Sequence, residues 1–213
     1  MRPYWEVGRR LLWPITYGLF RMRRMGRENL PAHGPTLIIC NHLSTKDPPL
    51  VGMAAQPRFM HFMAKAELFR HPIGARIMYG VGSFPVERGT GDRDAIRYSR
   101  DILARGEGLI MFPEGTRSRS GRLRPFFSGA GMLALEPGVT VIPAAIWGTQ
   151  SRFGKVRVVF GPPVDLSDLT SGPKSARVRE ATYRIAQAIA DLIPAVGGPP
   201  QTVPEGEPSL DPD

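Results

Sequence analysis

The residues best suited to chemistry stand in one short run, Cys40-Asn41-His42-Leu43-Ser44-Thr45-Lys46-Asp47-Pro48. An imidazole can take the proton of a hydroxyl when a carboxylate holds its other ring nitrogen and so fixes the tautomer. His42 and Asp47 are the residue types for that work. Five positions separate them, too many for contact along a strand, so a turn or a helix start must bring them together. The same pair also reads as a loop histidine beside a helix-capping aspartate. Ser44 lies between the two, but no Gly-x-Ser-x-Gly elbow surrounds it, which argues against a serine esterase.

The elements that must position these residues are legible on either side. Thr36-Leu37-Ile38-Ile39 is an apolar, partly β-branched run opened by Gly34-Pro35, the pattern of a buried strand. Asp47-Pro48-Pro49 suits a helix start, with Asp as the cap and proline in the first turn. His42 is therefore expected where a strand ends, the place where reactive side chains gather in α/β folds.

Three further segments have a similar build. Gly82-Ser83-Phe84-Pro85-Val86-Glu87-Arg88-Gly89 is a strand bracketed by glycines, and Arg88 at its exit could fork onto a phosphate or serve as a surface arginine. Phe112-Pro113-Glu114-Gly115-Thr116-Arg117-Ser118 follows the apolar run Gly108-Leu109-Ile110-Met111. There Gly115 lets a ligand approach the backbone, Arg117 offers a bidentate clamp, and Thr116 and Ser118 offer hydroxyls. Glu114 would repel a phosphate, so it is read as binding a hydroxyl or holding an arginine. Val141-Ile142-Pro143-Ala144-Ala145-Ile146 carries a proline inside a strand, which predicts an edge or a bulge and gives Pro143 a structural role or a place in a substrate wall.

The strand-like runs at 36–40, 59–63, 83–86, 109–112, 140–146 and 156–160 alternate with helical ones at 48–55, 92–104 and 132–136 and near the C-terminus. Ala95, Ile96, Ser99, Ile102 and Leu103 mark the buried face of one helix, and Val178, Thr182, Ile185, Ile189 and Leu192 that of another. The expectation is a single α/β domain, one mixed sheet flanked by helices, over residues 26–193.

The chain of 213 residues carries 28 Lys+Arg against 19 Asp+Glu, a formal charge of +9. Such a balance implies an anionic partner: nucleic acid, anionic lipid or a phosphorylated substrate. No nucleic-acid-binding motif is recognisable, which disfavours the first. Heavy use of Arg, Gly, Pro and Ala points to a bacterium with a GC-rich genome. A single cysteine, Cys40, excludes an intrachain disulfide, and no Cys/His cluster has metal-ligand spacing.

Both ends differ from the middle. Residues 1–25 hold Leu11-Leu12-Trp13-Pro14-Ile15-Thr16-Tyr17-Gly18-Leu19-Phe20 between arginines. The run is too short to span a bilayer, which needs about 20 apolar residues, but its aromatics and arginines suit a helix lying on a membrane surface. From Pro194 the chain is rich in Pro and Gly and carries four acids and no base, so 194–213 is expected to be a disordered tail. Setting those acids aside raises the charge of the rest from +9 to +13.

Taken in order, these blocks resemble those of the glycerolipid acyltransferase family, above all its bacterial lysophosphatidic acid acyltransferases. Asn41, His42 and Asp47 match its Asn-His-x4-Asp block, and Phe112 to Ser118 match its Phe-Pro-Glu-Gly-Thr-Arg-Ser block letter for letter. Gly82 to Arg88 and Val141-Ile142-Pro143 are similar to the other two, and the resemblance covers about residues 25–165. One departure is Phe126-Phe127-Ser128-Gly129, where many members have Phe-Lys-x-Gly.

The resemblance implies transfer of an acyl group from acyl-CoA or acyl carrier protein to the sn-2 hydroxyl of 1-acylglycerol 3-phosphate. Other lyso-lipids, glycerol 3-phosphate or a glycolipid are alternative acceptors, and a catalytically silent lipid-binding module is the alternative from another class. It implies His42 and Asp47 as catalytic, and Arg88, Glu114, Gly115, Thr116 and Arg117 as acceptor-binding. Asn41 and Pro143 become structural or donor-side residues. No bound cofactor is expected. The expected setting is a monomer held peripherally on an anionic membrane, on the cytoplasmic face.

Overall fold

Short apolar runs, alternating with helical ones, assemble into a single seven-stranded sheet in the computed structural model, which describes residues 8, 10, 11, 13–87, 93–151, 154–206, 208 and 209. The strands are β1 (Arg23–Met25), β2 (Thr36–Cys40), β3 (Met60–Lys65), β4 (Ser83–Val86), β5 (Gly108–Met111), β6 (Thr140–Trp147) and β7 (Arg157–Phe160). The helices are α1 (Asp47–Ala54), α2 (Pro72–Gly80), α3 (Arg93–Ala104), α4 (Gly129–Ala134) and α5 (Lys174–Leu192). The spatial order is β1-β7-β6-β2-β5-β3-β4. Every neighbouring pair is parallel except β6 with β7, so the sheet is mixed, as expected. The C-terminal ends of β2 to β6 therefore share one edge.

The central strands are buried on both faces, which is why β2 and β5 read as unbroken apolar runs. Leu37, Ile39, Leu109 and Met111 face α3, α4 and α5, where Ile102, Leu133, Ile185 and Ile189 meet them. Ile38, Cys40, Ile110 and Ile142 point the other way, onto Leu50, Val51 and Met53 of α1. Each such side chain contributes about 1.5–3 kcal/mol by leaving water. At Gly131 of α4 a Cβ would lie 2.3 Å from the Val178 carbonyl oxygen, so only glycine lets α4 and α5 approach this closely.

Three departures from expectation concern position. β1 lies inside the segment read as a membrane-docking helix, where it forms an edge strand paired to β7. Three residues, two of them arginines, give no strand signal, though charge is how edges are kept from pairing further. α2 was not foreseen either. Pro143 stands in β6, an interior strand, and not at an edge or bulge. Its carbonyl accepts the Gly161 N–H at 2.8 Å, so its missing donor would have pointed toward the chain just past the end of β7, and the ladder to β2 loses nothing.

Described parts of both end segments pack on this body. Residues 14–19 form one π-helical stretch with Thr16 buried, joined to Val156 through the Phe20 carbonyl at 3.1 Å. Past the expected boundary at Pro194, Val196 is fully buried and Gln201 accepts the Leu123 N–H at 3.1 Å.

Candidate active site

β2 does not stop at Cys40 by fraying. The Asn41 side chain donates to the Ile146 carbonyl at 3.1 Å and accepts the Ile146 N–H at 2.9 Å, replacing a strand rung just as the backbone turns away. His42 follows, 6% exposed, with its ring centroid 4.5 Å from that of Phe112 at the end of β5. Its carbonyl accepts the Ser118 N–H at 2.8 Å, which ties the loop after β2 to the loop after β5.

Asp47 is fully buried, and its Oδ2 lies 2.9 Å from His42 Nδ1. The same oxygen accepts the N–H groups of Leu43 at 2.6 Å and Ser44 at 2.7 Å. Asp47 is therefore not the helix cap its sequence setting suggests. Lys46 holds the cap position with no side-chain bond, and the Asp47 carboxylate turns back into the loop. A carboxylate oxygen that receives two other N–H groups is an acceptor, so Nδ1 carries the proton and Nε2 is left with a lone pair. Oδ1 is buried and accepts no hydrogen bond from the described residues, so the bonding runs through the oxygen that faces the imidazole.

Glu114 is 1% exposed, and each of its oxygens takes a backbone N–H: His42 at 2.6 Å and Arg124 at 3.2 Å. Both bonds are to backbone N–H groups, so they bear on neither of the two expected roles, hydroxyl ligand or holder of an arginine side chain. Burial pushes the Glu114 carboxyl up to about 8, against the pull of those two N–H groups and of the Arg124 charge. Gly115 has φ +69° and donates to the Phe112 carbonyl at 3.2 Å, so the turn itself demands glycine there. Thr116 is buried and Arg117 is exposed, with no carboxylate partner among the described residues. Arg88 lies outside the described residues. Cys40 is no alternative nucleophile: burial first, then the Asp47 and Glu114 charges, push its thiol well above the usual value.

The motif reading passed over three arginines on the same loop, Arg119, Arg122 and Arg124. Their spacing after Arg117 was a visible signal of local positive charge. Phe127, which stands where the resembling family often has lysine, donates its N–H to the Pro113 carbonyl at 2.9 Å. No group of three or more His, Cys, Asp or Glu that could hold a metal occurs among the described residues.

A buried imidazole with its Nδ1 on a carboxylate, at the C-terminal edge of a mostly parallel sheet, is an arrangement that can take a proton from a hydroxyl. The acyltransferase family model matches residues 21–147, more than half of the chain. A 1-acyl-sn-glycerol-3-phosphate acyltransferase of Bacillus subtilis is 30% identical over 171 residues, covering 78% of this chain and 85% of the relative. The lyso-ornithine lipid O-acyltransferase of Pseudomonas aeruginosa is 37% identical over 113 residues, 53% of this chain and 43% of that one. Among solved structures, the 1-acyl-sn-glycerophosphate acyltransferase PlsC of Thermotoga maritima superposes with a TM-score of 0.63 at 26% identity, over 90% of this chain and 83% of its own. The chain belongs to the acyltransferase family.

Proposed function

We propose that the protein moves a fatty acyl group from acyl-CoA or acyl carrier protein to the sn-2 hydroxyl of 1-acylglycerol 3-phosphate, giving phosphatidic acid. The observation that carries this reading is the buried His42 Nδ1–Asp47 contact at 2.9 Å. Nε2 takes the proton of the acceptor hydroxyl as its oxygen attacks the thioester carbonyl carbon. The carbon–sulfur bond breaks, and the thiol leaves with the proton returned by the imidazolium. Asp47 holds the Nδ1 proton throughout and offsets the positive charge on the ring. A thioester is already activated, so the reaction needs neither a covalent nucleophile nor a resident cofactor.

Arg88 and Arg117 take the acceptor phosphate, and Gly115 and Thr116 shape the turn beneath it. Glu114 and Asn41 hold the loop that carries His42, and Pro143 is structural. The protein works as a monomer, peripherally on the cytoplasmic face of the membrane; no described helix is long and apolar enough to cross one. A second reading, a lyso-lipid acceptor without a phosphate, is favoured by the resemblance over 113 residues to the lyso-ornithine lipid enzyme.

The test is thiol release from acyl-CoA or acyl carrier protein with lysophosphatidic acid, lyso-ornithine lipid or glycerol 3-phosphate as acceptor. Release that depends on lysophosphatidic acid, with phosphatidic acid formed, is expected. His42→Ala should lower kcat by about 10²–10⁴-fold with the melting temperature kept. Release without any acceptor would mean a hydrolase, and near-normal turnover by the His42 variant would remove the base from the scheme.

A further inference from the structure

We propose that the exposed face of α2 and the turn before it, residues 66–80, is a lipid-contact surface that seats the site on an anionic bilayer, together with but independently of the N-terminal segment. The inference rests on the reading of the acceptor as a membrane lipid.

α2 is unusual in having no buried residue at all. Ile73 is 67% exposed, Ile77 60%, Tyr79 53% and Leu68, in the preceding turn Ala66–Phe69, 52%. A helix is normally retained because an apolar stripe packs on a core. Here Met78 meets the core, while Ile73 and Ile77, one turn apart, share a face that no other part of the described chain covers. An open groove of about 1150 Å³, lined among others by Ala66, Tyr79, Phe84 and Tyr98, separates α2 from α3. The apolar residues are thus presented outward in spite of the space beside them.

The charge around this face decides what covers it. Within residues 66–80 the single acid, Glu67, is paired with Lys65 at 2.9 Å, while Glu87, Asp94 and Asp101, with Arg93 and Arg97, line the groove beside it. Arg70 and Arg76 are exposed and form no ion pair among the described residues, though Arg70 lies near enough to Glu67 for its charge to act on that carboxylate. Arg76 lies on the Ile73–Ile77 side of the helix. Exposed isoleucines beside exposed arginines complement a surface with anionic headgroups and an apolar interior.

A second surface, already expected to meet lipid, packs on the same side of the sheet. Met78 and Val81 border the core cluster under α1, and so do Tyr17 and Phe20 of the N-terminal segment, whose Leu11, Trp13, Ile15 and Leu19 are exposed. The N-terminal segment joins the sheet near β1 and β7, and α2 lies near β4, the strand at the other end of the order. The two apolar regions therefore flank α1, whose first residue is Asp47, and His42 sits between them.

The experiment uses the full chain with Ile73→Ser/Ile77→Ser, Arg70→Ser/Arg76→Ser and, for comparison, Leu11→Ser/Trp13→Ser. Co-sedimentation is measured with phosphatidylcholine vesicles and with mixed phosphatidylcholine–phosphatidylglycerol vesicles. Because these isoleucines are exposed, replacing them empties no core, and equal melting temperatures verify that. The isoleucine pair should lose about tenfold in binding to the mixed vesicles, and the arginine pair should lose its preference for them, more at low salt than at high. Turnover of a water-soluble short-chain acceptor should be unchanged in all three variants. Wild-type binding by both α2 variants would overturn the proposal and leave the N-terminal segment as the anchor. A wild-type dimer that the isoleucine variant converts to monomer, with vesicle binding unchanged, would overturn it in favour of a second copy of the chain. Failure of the wild type to turn over any short-chain acceptor would count against the acyltransfer reading alone, since vesicle binding is read separately.

Discussion

The loops after β2 and β5 meet at the same edge of the sheet, yet they are built in opposite ways. In the first, Asn41, His42 and Asp47 are all buried, and Asn41, His42 Nδ1 and Asp47 Oδ2 are directed at named partners: Ile146, the Asp47 carboxylate, and the N–H groups of Leu43 and Ser44. In the second, Glu114, Thr116 and Ser118 are buried, while Arg117, Arg119 and Arg122 stand in solvent. Preorganisation is worth most where a proton must move within a fixed geometry, because no reorganisation is then needed during the reaction. Recognition of a phosphate gains from cations left open for the ligand. On the proposed mechanism the first loop would set the rate and the second the affinity for the acceptor.

The strongest way to break this contrast is Asp47→Asn. The amide keeps the shape but cannot offset an imidazolium as a carboxylate does, so kcat should fall by about 10²–10⁴-fold with little change in KM. One end of the amide would also bury N–H groups where Oδ1 now accepts nothing, at a cost of about 1–3 kcal/mol in stability. Steady-state kinetics beside a urea melt separates the two effects. A variant that melts earlier but turns over like wild type would reduce Asp47 to a brace for Leu43 and Ser44.

A smaller effect, of the opposite kind, is expected from the second loop. Hydrogen bonds to charged groups contribute about 1.5–3 kcal/mol, so Arg117→Ala should raise KM for the phosphorylated acceptor about 10–100-fold, with kcat and the donor KM nearly constant. Arg88→Ala should act similarly. If the donor KM moves as much, the arginines belong to the CoA side. If neither KM moves while a lyso-ornithine acceptor is used well, the phosphate reading gives way to the second one.

How much of this could be read beforehand depended on whether the signal was local. The strand over 36–40, the helix start at 47–49 and the amphipathic face of α3 are local patterns, and Ala95, Ser99, Ile102 and Leu103 are buried as their spacing predicts. His42 and Asp47 were legible as residue types at a strand end and a helix start. The direction of the Asp47 carboxylate was not, because a cap and a histidine partner occupy the same position in the chain. Non-local facts escaped. β1 exists only because β7 pairs with it, and Pro143 is tolerated inside the sheet only because β7 ends beside it. α2 escaped because Ile73, Ile77 and Tyr79 do not face the core, so Met78 alone is too little to make the stripe a sequence reading looks for. Val196, Gln201 and Val203 show the same limit, since composition averages over the few positions that hold 194–203 to the body.

The smallest effect probes the joint between the two loops. Glu114 accepts His42 N–H on one side and Arg124 N–H on the other, so it braces the fixed loop against the open one. Its folded pKa is raised from 4.5 to about 8 by burial. The folded chain therefore keeps a proton that the unfolded chain releases above 4.5. The stability this contributes is fully present below that pH and is lost as pH rises through about 8. Glu114→Gln has no such proton, and its amide nitrogen must face one of the two N–H donors. The variant should be less stable than wild type at pH 5.5 by about 1–3 kcal/mol, and the gap should narrow toward pH 8.5, where the wild type must hold a buried charge. Urea midpoints at the two pH values measure this directly. Kinetically, a loosened His42 loop should lower kcat a few-fold and leave the acceptor KM alone. A constant stability gap would mean that Glu114 is ionised in the folded state throughout. A large rise in acceptor KM at unchanged kcat would make it an acceptor ligand, and the recognition surface would then extend into the buried half of the site.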